Sequence, residues 1–346
     1  VSDKRAFLSS WPMFAGFCSQ AGLRAGKLRG IRRRPAAAAS KPVSSPLLPP
    51  PRGAALWAFA SMTLIWGSTW YAIREQLNGT PMFVSVALRF ALAAAALALW
   101  MLATRRPLGV PRQLWSLVLV QGLCVCGINY LFAYSATAYI ASGLVALVFA
   151  FNVVVSLLLE PVLLGRRSPP QLWLAAALGV AGLALVLLPA EAGVPSANRL
   201  LGVGLALGGA ICIGLGNVLS SRLISGGASL FAMNFWGFVV GTVLALLAAT
   251  LSGDGWQVVW TRDYALSLVY LSVIGSILAF ALYLQVVRAL GPIRAGYSAV
   301  LTPVIALLIS SLLEGLRITP TLVGGLALVL LGNLLVLRQR AQRLAR

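Results

Sequence analysis

Residues 163–188 read LLGRRSPPQLWLAAALGVAGLALVLL, and residues 313–337 read LEGLRITPTLVGGLALVLLGNLLVL. Both run through one order: the end of an apolar segment, a Gly-x-Arg turn, a proline, then a glycine-rich apolar helix. The likeness extends upstream. Residues 130–152 (YLFAYSATAYIASGLVALVFAFN) align with residues 280–302 (FALYLQVVRALGPIRAGYSAVLT), shifted by 150 positions with one residue of slippage between the blocks. Each is an aromatic-rich helix end, a short break and a second helix with small residues. Apolar composition alone produces some similarity, but this order of breaks and turns is harder to produce by chance. The chain therefore reads as two copies of one unit.

Working outward, the chain is 346 residues long, 60% hydrophobic and 10% charged, with a mean hydropathy of +0.91. A soluble domain carries about 25% charged residues. A water-soluble globule could not hide this much apolar side chain, so lipid is the solvent. Apolar segments recur at about 54–73, 82–103, 113–136, 141–164, 171–189, 200–221, 229–251, 263–287, 294–313 and 320–337. Each is near the ~20 residues that cross ~30 Å of hydrocarbon as a helix. Breakers fill the gaps, among them Gly79-Thr80-Pro81, Arg105-Arg106-Pro107, Gly253-Asp254-Gly255 and Gly291-Pro292. The expected fold is an all-α multi-pass membrane protein of ten transmembrane helices, in repeats 54–189 and 200–337. Five spans per half is an odd number, so the two copies must be oppositely oriented. Inverted repeats that share a site at their interface are a transporter architecture.

Charge sets the expected orientation. With the N-terminus inside, cytoplasmic loops hold Arg105, Arg106, Arg112, Arg166, Arg167, Arg222, Arg288 and Arg294. The basic tail 338–346 adds Arg338, Arg340, Arg343 and Arg346, while the far side holds Arg74, Arg199, Arg262 and Arg317. Glu75, Glu191, Asp254, Asp263 and Glu314 fall on that far side, and Glu160 is the exception. The net charge of +20 is thus a topology signal, and both termini are expected in the cytoplasm of a cell-membrane (inner or plasma membrane) protein. Residues 1–53 differ from the rest: Arg32, Arg33 and Arg34 lie among Lys, Ala and Ser, ahead of the proline run ending at Pro51. Such a segment has little to bury and is expected to be disordered. Its Arg- and Ser-rich, acid-poor composition also suits a targeting segment, and a start on Val1 suits a processed or over-extended chain. No folded basic motif accompanies it, so nucleic acid is not an expected partner.

Several functions are excluded by what is missing. There is no histidine, hence no His-metal site, no Ser-His-Asp triad and no His general base. Cys18, Cys124, Cys126 and Cys212 form no CxxC pair. No ATP-binding motif is present, which argues against a self-contained pump. A membrane-embedded lipid-modifying enzyme would need clustered acids, His or Cys at membrane depth, and none is seen. A non-transporting scaffold or receptor is the remaining alternative. No metal and no cofactor is called for, and the chain is read as a carrier, not an enzyme.

Trp66-Gly67-Ser68-Thr69-Trp70 in the first span resembles the W-G-x-x-[FW] signature of the EamA group of the drug/metabolite transporter superfamily. Leu88-Arg89-Phe90 and the turns Gly165-Arg166-Arg167 and Gly315-Leu316-Arg317 resemble it too, over about 54–337. Many relatives carry Glu directly after the turn glycine, where this chain has Arg166 and Leu316, so no role for that acid carries over. The resemblance implies a secondary carrier moving a small organic metabolite by alternating access: an amino acid or related solute, with export the expected direction. The partners are then that substrate and the lipid bilayer, with a second copy of the chain as a candidate homodimer partner.

Polar side chains in a bilayer are costly and usually face a neighbour or an aqueous cavity. The substrate-binding candidates are Trp66, Arg89, Asn129, Tyr130 and Tyr134 from the first half, and Tyr283, Gln285 and Thr302 from the second. Arg89 stands seven residues past Met82, about 10 Å deep. It reads equally as a snorkelled or backbone-capping side chain and as an anchor for an anionic group. Aromatic rings with a few directed polar groups suit a small, partly apolar organic solute better than a bare ion, which needs an oxygen cage. Glu160 and Glu314 read as solvated or Arg-paired span ends, and Gly204-x-x-x-Gly208 and Gly324-Gly325 as sites of close helix packing.

Overall fold

The structure is a computed structural model that describes residues 52–164, 170–187 and 196–345. The N-terminal tail but for its last two residues, the Gly165-Arg166-Arg167 turn and the Glu191 loop lie outside the described residues. Those described form helices and no strand. We number them α1 (Arg52–Glu75), α2 (Met82–Ala103), α3 (Arg112–Tyr139), α4 (Ser142–Phe149 continuing as Asn152–Leu164), α5 (Pro170–Leu187) and α6 (Ser196–Ser225). Then follow α7 (Leu230–Ser252), α8 (Arg262–Val287), α9 (Arg294–Leu313) and α10 (Pro320–Ala345).

Among the described residues, eight helices are long and apolar enough to cross a membrane: α2, α3, α4 and α6 to α10. α1 is 24 residues long, but its second half carries Trp66, Gly67, Ser68, Thr69, Trp70 and Tyr71, which lower its hydropathy. In α5 the stretch Trp173–Val186 is apolar but shorter. Leucine and tryptophan side chains cover the outside, as a lipid solvent requires: Trp57, Leu99, Trp173, Leu251 and Leu312 are all exposed.

Helix packing follows a pattern that the pairings make visible. α5 packs on α10, α2 on α7 and α4 on α9; α3 lies against α6, and α8 against α1. α4 also meets α6, and α9 meets α1. Exchanging each helix for the one five places away leaves this set of pairs unchanged. α5 and α10 approach each other closely. A Cβ on Gly182 would sit 2.6 Å from the Gly325 carbonyl oxygen, and one on Gly325 would sit 2.7 Å from that of Gly182. Only hydrogen fits there. Gly204, by contrast, faces open space, so the Gly204-x-x-x-Gly208 stretch is not a close-packing seam along its length; only Gly208 comes near a neighbour, the ring of Phe132.

Two helices depart from α geometry at matched places. α3 widens into a π-helix over Leu123–Ile128, and α8 does so over Tyr270–Leu278. A wide turn leaves carbonyls to be satisfied from the side. Asn129 Nδ2 donates to the Val125 carbonyl at 3.0 Å, and Ser276 Oγ donates to that of Leu271 at 2.9 Å. α4 breaks at Ala150 and Phe151, and its freed carbonyls are also capped. Asn152 Nδ2 reaches the Phe149 oxygen at 2.6 Å, and Asn333 Nδ2 of α10 reaches the Ala150 oxygen at 3.3 Å.

Glu314 is half-buried and acts as a helix cap rather than as a free span end. It sits across the N-terminus of α4, accepting from the Ser142 backbone N–H at 3.0 Å, from Ser310 Oγ at 2.8 Å and from Ser142 Oγ. A carboxylate at a helix N-terminus meets both the orphan N–H groups and the positive end of the helix dipole. Glu160 is buried rather than solvated at its end of α4.

Candidate functional site

α1 presents Trp66 and Trp70 on one face, four residues apart. Trp66 packs edge-on to Phe280 with ring centroids 5.6 Å apart, and lies 5.8 Å from the Tyr283 ring. Trp70 meets Phe149 at 4.9 Å. Between them, Gly67 lets α9 approach, since a Cβ there would run into Ile305 and come within 3.4 Å of the Thr302 carbonyl oxygen. Ser68 and Tyr270 share a hydroxyl–hydroxyl hydrogen bond of 2.6 Å, tying α1 to the π segment of α8.

Arg89 does not snorkel. Its side chain is only 4% exposed, and the guanidinium lies over the Tyr130 ring at 4.7 Å and near the Phe90 ring at 5.6 Å. Its Nη1 donates to the Tyr134 hydroxyl at 3.4 Å, and that hydroxyl donates in turn to Gln76 Oε1. Phe90 stands edge-on to Tyr130 at 4.7 Å and stacks on Phe238 at 5.5 Å, which closes an aromatic wall around the cation. The Arg89 carbonyl accepts from Ser272 Oγ at 3.0 Å, so α2 is also tied to the π segment of α8. Cation–π contacts of this desolvated kind contribute about 2 kcal/mol.

The structure thus brings together Arg89, Tyr130 and Tyr134, and separately Trp66 with Tyr283. All border one continuous apolar cluster. Thr302 enters by its backbone, beside Gly67, with its own side chain half-buried ahead of Pro303. Asn129 spends its amide on the α3 backbone. Gln285, two residues past Tyr283, is turned about 200° around the helix from it and is half-buried.

Gln76 is the residue that sequence reasoning missed. It follows Glu75 and precedes Asn78-Gly79, so it reads as part of a polar turn, yet it is fully buried. A polar residue one position beyond a helix end carries no pattern that distinguishes inward from outward. Within this site, four buried polar atoms have no hydrogen-bond partner: Arg89 Nε, Gln76 Nε2, Asn129 Oδ1 and Tyr283 Oη. Native interiors leave few such groups, and each costs roughly 1–3 kcal/mol. Among the described residues no cluster of three His, Cys, Asp or Glu could hold a metal ion. The arrangement gathers directed hydrogen bonds, one positive charge and aromatic faces.

The chain is similar to known transporters. The uncharacterized inner membrane transporter YedA of Escherichia coli K12 is 26% identical over 258 residues, covering 75% of this chain and 82% of that protein. The uncharacterized transporter YvbV of Bacillus subtilis is 25% identical over 309 residues, covering 86% and 96%. A solved crystal structure, 21% identical, superposes with a TM-score of 0.58 over 84% of this chain and 99% of its own, and so shares the fold. The model of the EamA-like transporter family matches twice, at residues 52–188 and 200–338. With both halves of the helical region matched, this chain is a multi-pass membrane protein belonging to the EamA-like transporter family.

Proposed function

We propose that the protein is a secondary transporter that moves a small organic metabolite, an amino acid or related solute, outward across the cell membrane by alternating access. Ten membrane-crossing helices in two inverted repeats, with both termini cytoplasmic, complete the reading. The observation that carries it is the meeting of Trp66 from the first half with Phe280 and Tyr283 from the second. A carrier built from inverted repeats keeps its site where the halves meet, and each half contributes an equivalent helix. Two further features support the repeat: the helix pairings survive exchange of the halves, and the π-helices fall at matched places in α3 and α8. π-helical turns recur at functional sites, where they allow a helix to change register.

The substrate site is proposed to comprise Trp66, Arg89, Asn129, Tyr130 and Tyr134 with Tyr283, Gln285 and Thr302. The inner membrane named for YedA is proposed as the location here as well. The test is a growth screen of cells expressing the protein against toxic levels of amino acids, nucleobases and amines. It is followed by uptake of the protecting solute into proteoliposomes of the purified protein. Protection matched by uptake is the expected result. Protection by none, with no uptake, would contradict the reading.

A further inference from the structure

Arg89 is a buried cation without a buried anion. Its guanidinium meets the Tyr134 hydroxyl and the Tyr130 and Phe90 rings, none of them a carboxylate. Among the described residues the one buried acid is Glu160. It lies 18 residues along α4 from Ser142, at the end away from the α1–α2 turn. That turn and the start of α4 are at the same end of the bundle, because Arg74 Nη1 donates to the Thr137 carbonyl at 2.7 Å. Arg89 is seven residues from that end, so the two charges differ in depth by roughly 16 Å. Burying an uncompensated charge is among the costliest things a fold does, and such a charge at membrane depth usually awaits a partner.

The donors beside Arg89 point to what that partner is. Arg89 Nε and Gln76 Nε2 are both N–H donors, both fully buried and both unpaired. Tyr134 joins them, accepting from Arg89 and donating to Gln76. Gln76 Oε1 is therefore already engaged, and what the pair lacks is an acceptor. An amide and a guanidinium with free N–H groups suit the two oxygens of a carboxylate.

We infer that this site takes a net monoanionic carboxylate with an apolar or aromatic body, its carboxylate held by Arg89 and Gln76. The inference rests on the proposed transport site and narrows its substrate to the related solutes, setting zwitterionic amino acids aside. Charge balance decides against the neighbouring classes. One cation neutralises one negative charge, so a phosphate dianion would leave a negative charge buried. Among the described residues, the ammonium of a zwitterion would find no buried carboxylate at this depth. The walls of Phe90, Tyr130 and Phe238 favour an aromatic remainder.

The test uses the full-length purified protein in detergent. Its thermal unfolding is followed with phenylacetate, phenylpyruvate, phenylalanine, phenethylamine or phenyl phosphate at millimolar concentration. Phenylacetate and phenylpyruvate are expected to raise Tm, and the zwitterion, the amine and the dianion are not. Arg89→Gln is expected to weaken phenylacetate binding by at least about tenfold. Gln76→Glu supplies the missing counter-charge from the protein itself. It is expected to raise the ligand-free Tm while abolishing the phenylacetate response, which separates loss of the site from loss of the fold. A response to phenylalanine or phenethylamine equal to that for phenylacetate would overturn the inference. So would a normal phenylacetate response in both variants, or none in the wild type. Proteoliposomes that carry phenylalanine while phenylacetate has no effect would leave the transport reading standing and overturn only the charge assignment.

Discussion

At the scale of single residues, the buried hydroxyl of Tyr283 poses a sharp question. It is fully buried and unpaired, on a ring that touches Trp66. An unsatisfied buried hydroxyl costs the fold roughly 1–3 kcal/mol. Tyr283→Phe is therefore expected to raise stability by about 1 kcal/mol, read as a higher Tm, while lowering transport if the hydroxyl meets the solute. A fall in Tm would show that the hydroxyl has a partner. Residues of this kind were partly legible from sequence. Tyr130 and Tyr134 share a helical face and both reach Arg89. Tyr283 and Gln285 occupy the region of the second repeat that corresponds to Tyr130 and Tyr134, but the helical period turns them to different faces. Gln76 was hidden because burial of a turn residue depends on which helices close over it.

At the scale of elements, the contacts between the two halves include a helix cap and a close helix crossing. Glu314 caps α4 from the turn after α9, in company with Ser310, whose Oγ also accepts from the Gly143 backbone N–H at 2.7 Å. Glu314→Ala removes that cap and is expected to destabilise the protein by about 1 kcal/mol. Glu314→Gln, which retains an acceptor, should restore part of the loss in a thermal-unfolding series. The α5–α10 crossing has less tolerance. Gly182→Ala puts a methyl 2.6 Å from a backbone oxygen, and overpacking of this kind costs about 1–3 kcal/mol. Gly204→Ala faces open space and is expected to leave Tm unchanged. Glycine motifs show that helices can approach closely. They do not say which glycine faces a helix, so the sequence picked out both pairs and the structure separates them. The π-helices of α3 and α8 left no mark in composition, because a single extra residue in a turn does not disturb an apolar run.

At the scale of the whole molecule, the apolar segments and their breakers were readable because lipid forces every backbone group to be satisfied within its own helix. What hydropathy could not decide was how α1 behaves, since the side chains that face its partners are the polar and aromatic ones. The proposed orientation rests on charge. Reporter fusions after Arg106 and after Arg167 are expected to report cytoplasm, and one near Asp254 the far side. A reversed pattern would remove the basis for the inverted repeat. A chain beginning near Pro50 is expected to insert and transport normally, because the residues before it hold no apolar span. The central claim is that a solute crosses through a site formed where Trp66 meets the second half, and solute uptake into proteoliposomes measures it directly. Wild type and Trp57→Ala, whose ring is 77% exposed, are expected to transport alike, with Trp66→Ala and Tyr130→Ala strongly reduced at equal incorporation. Equal transport by all four proteins would put the solute's path elsewhere.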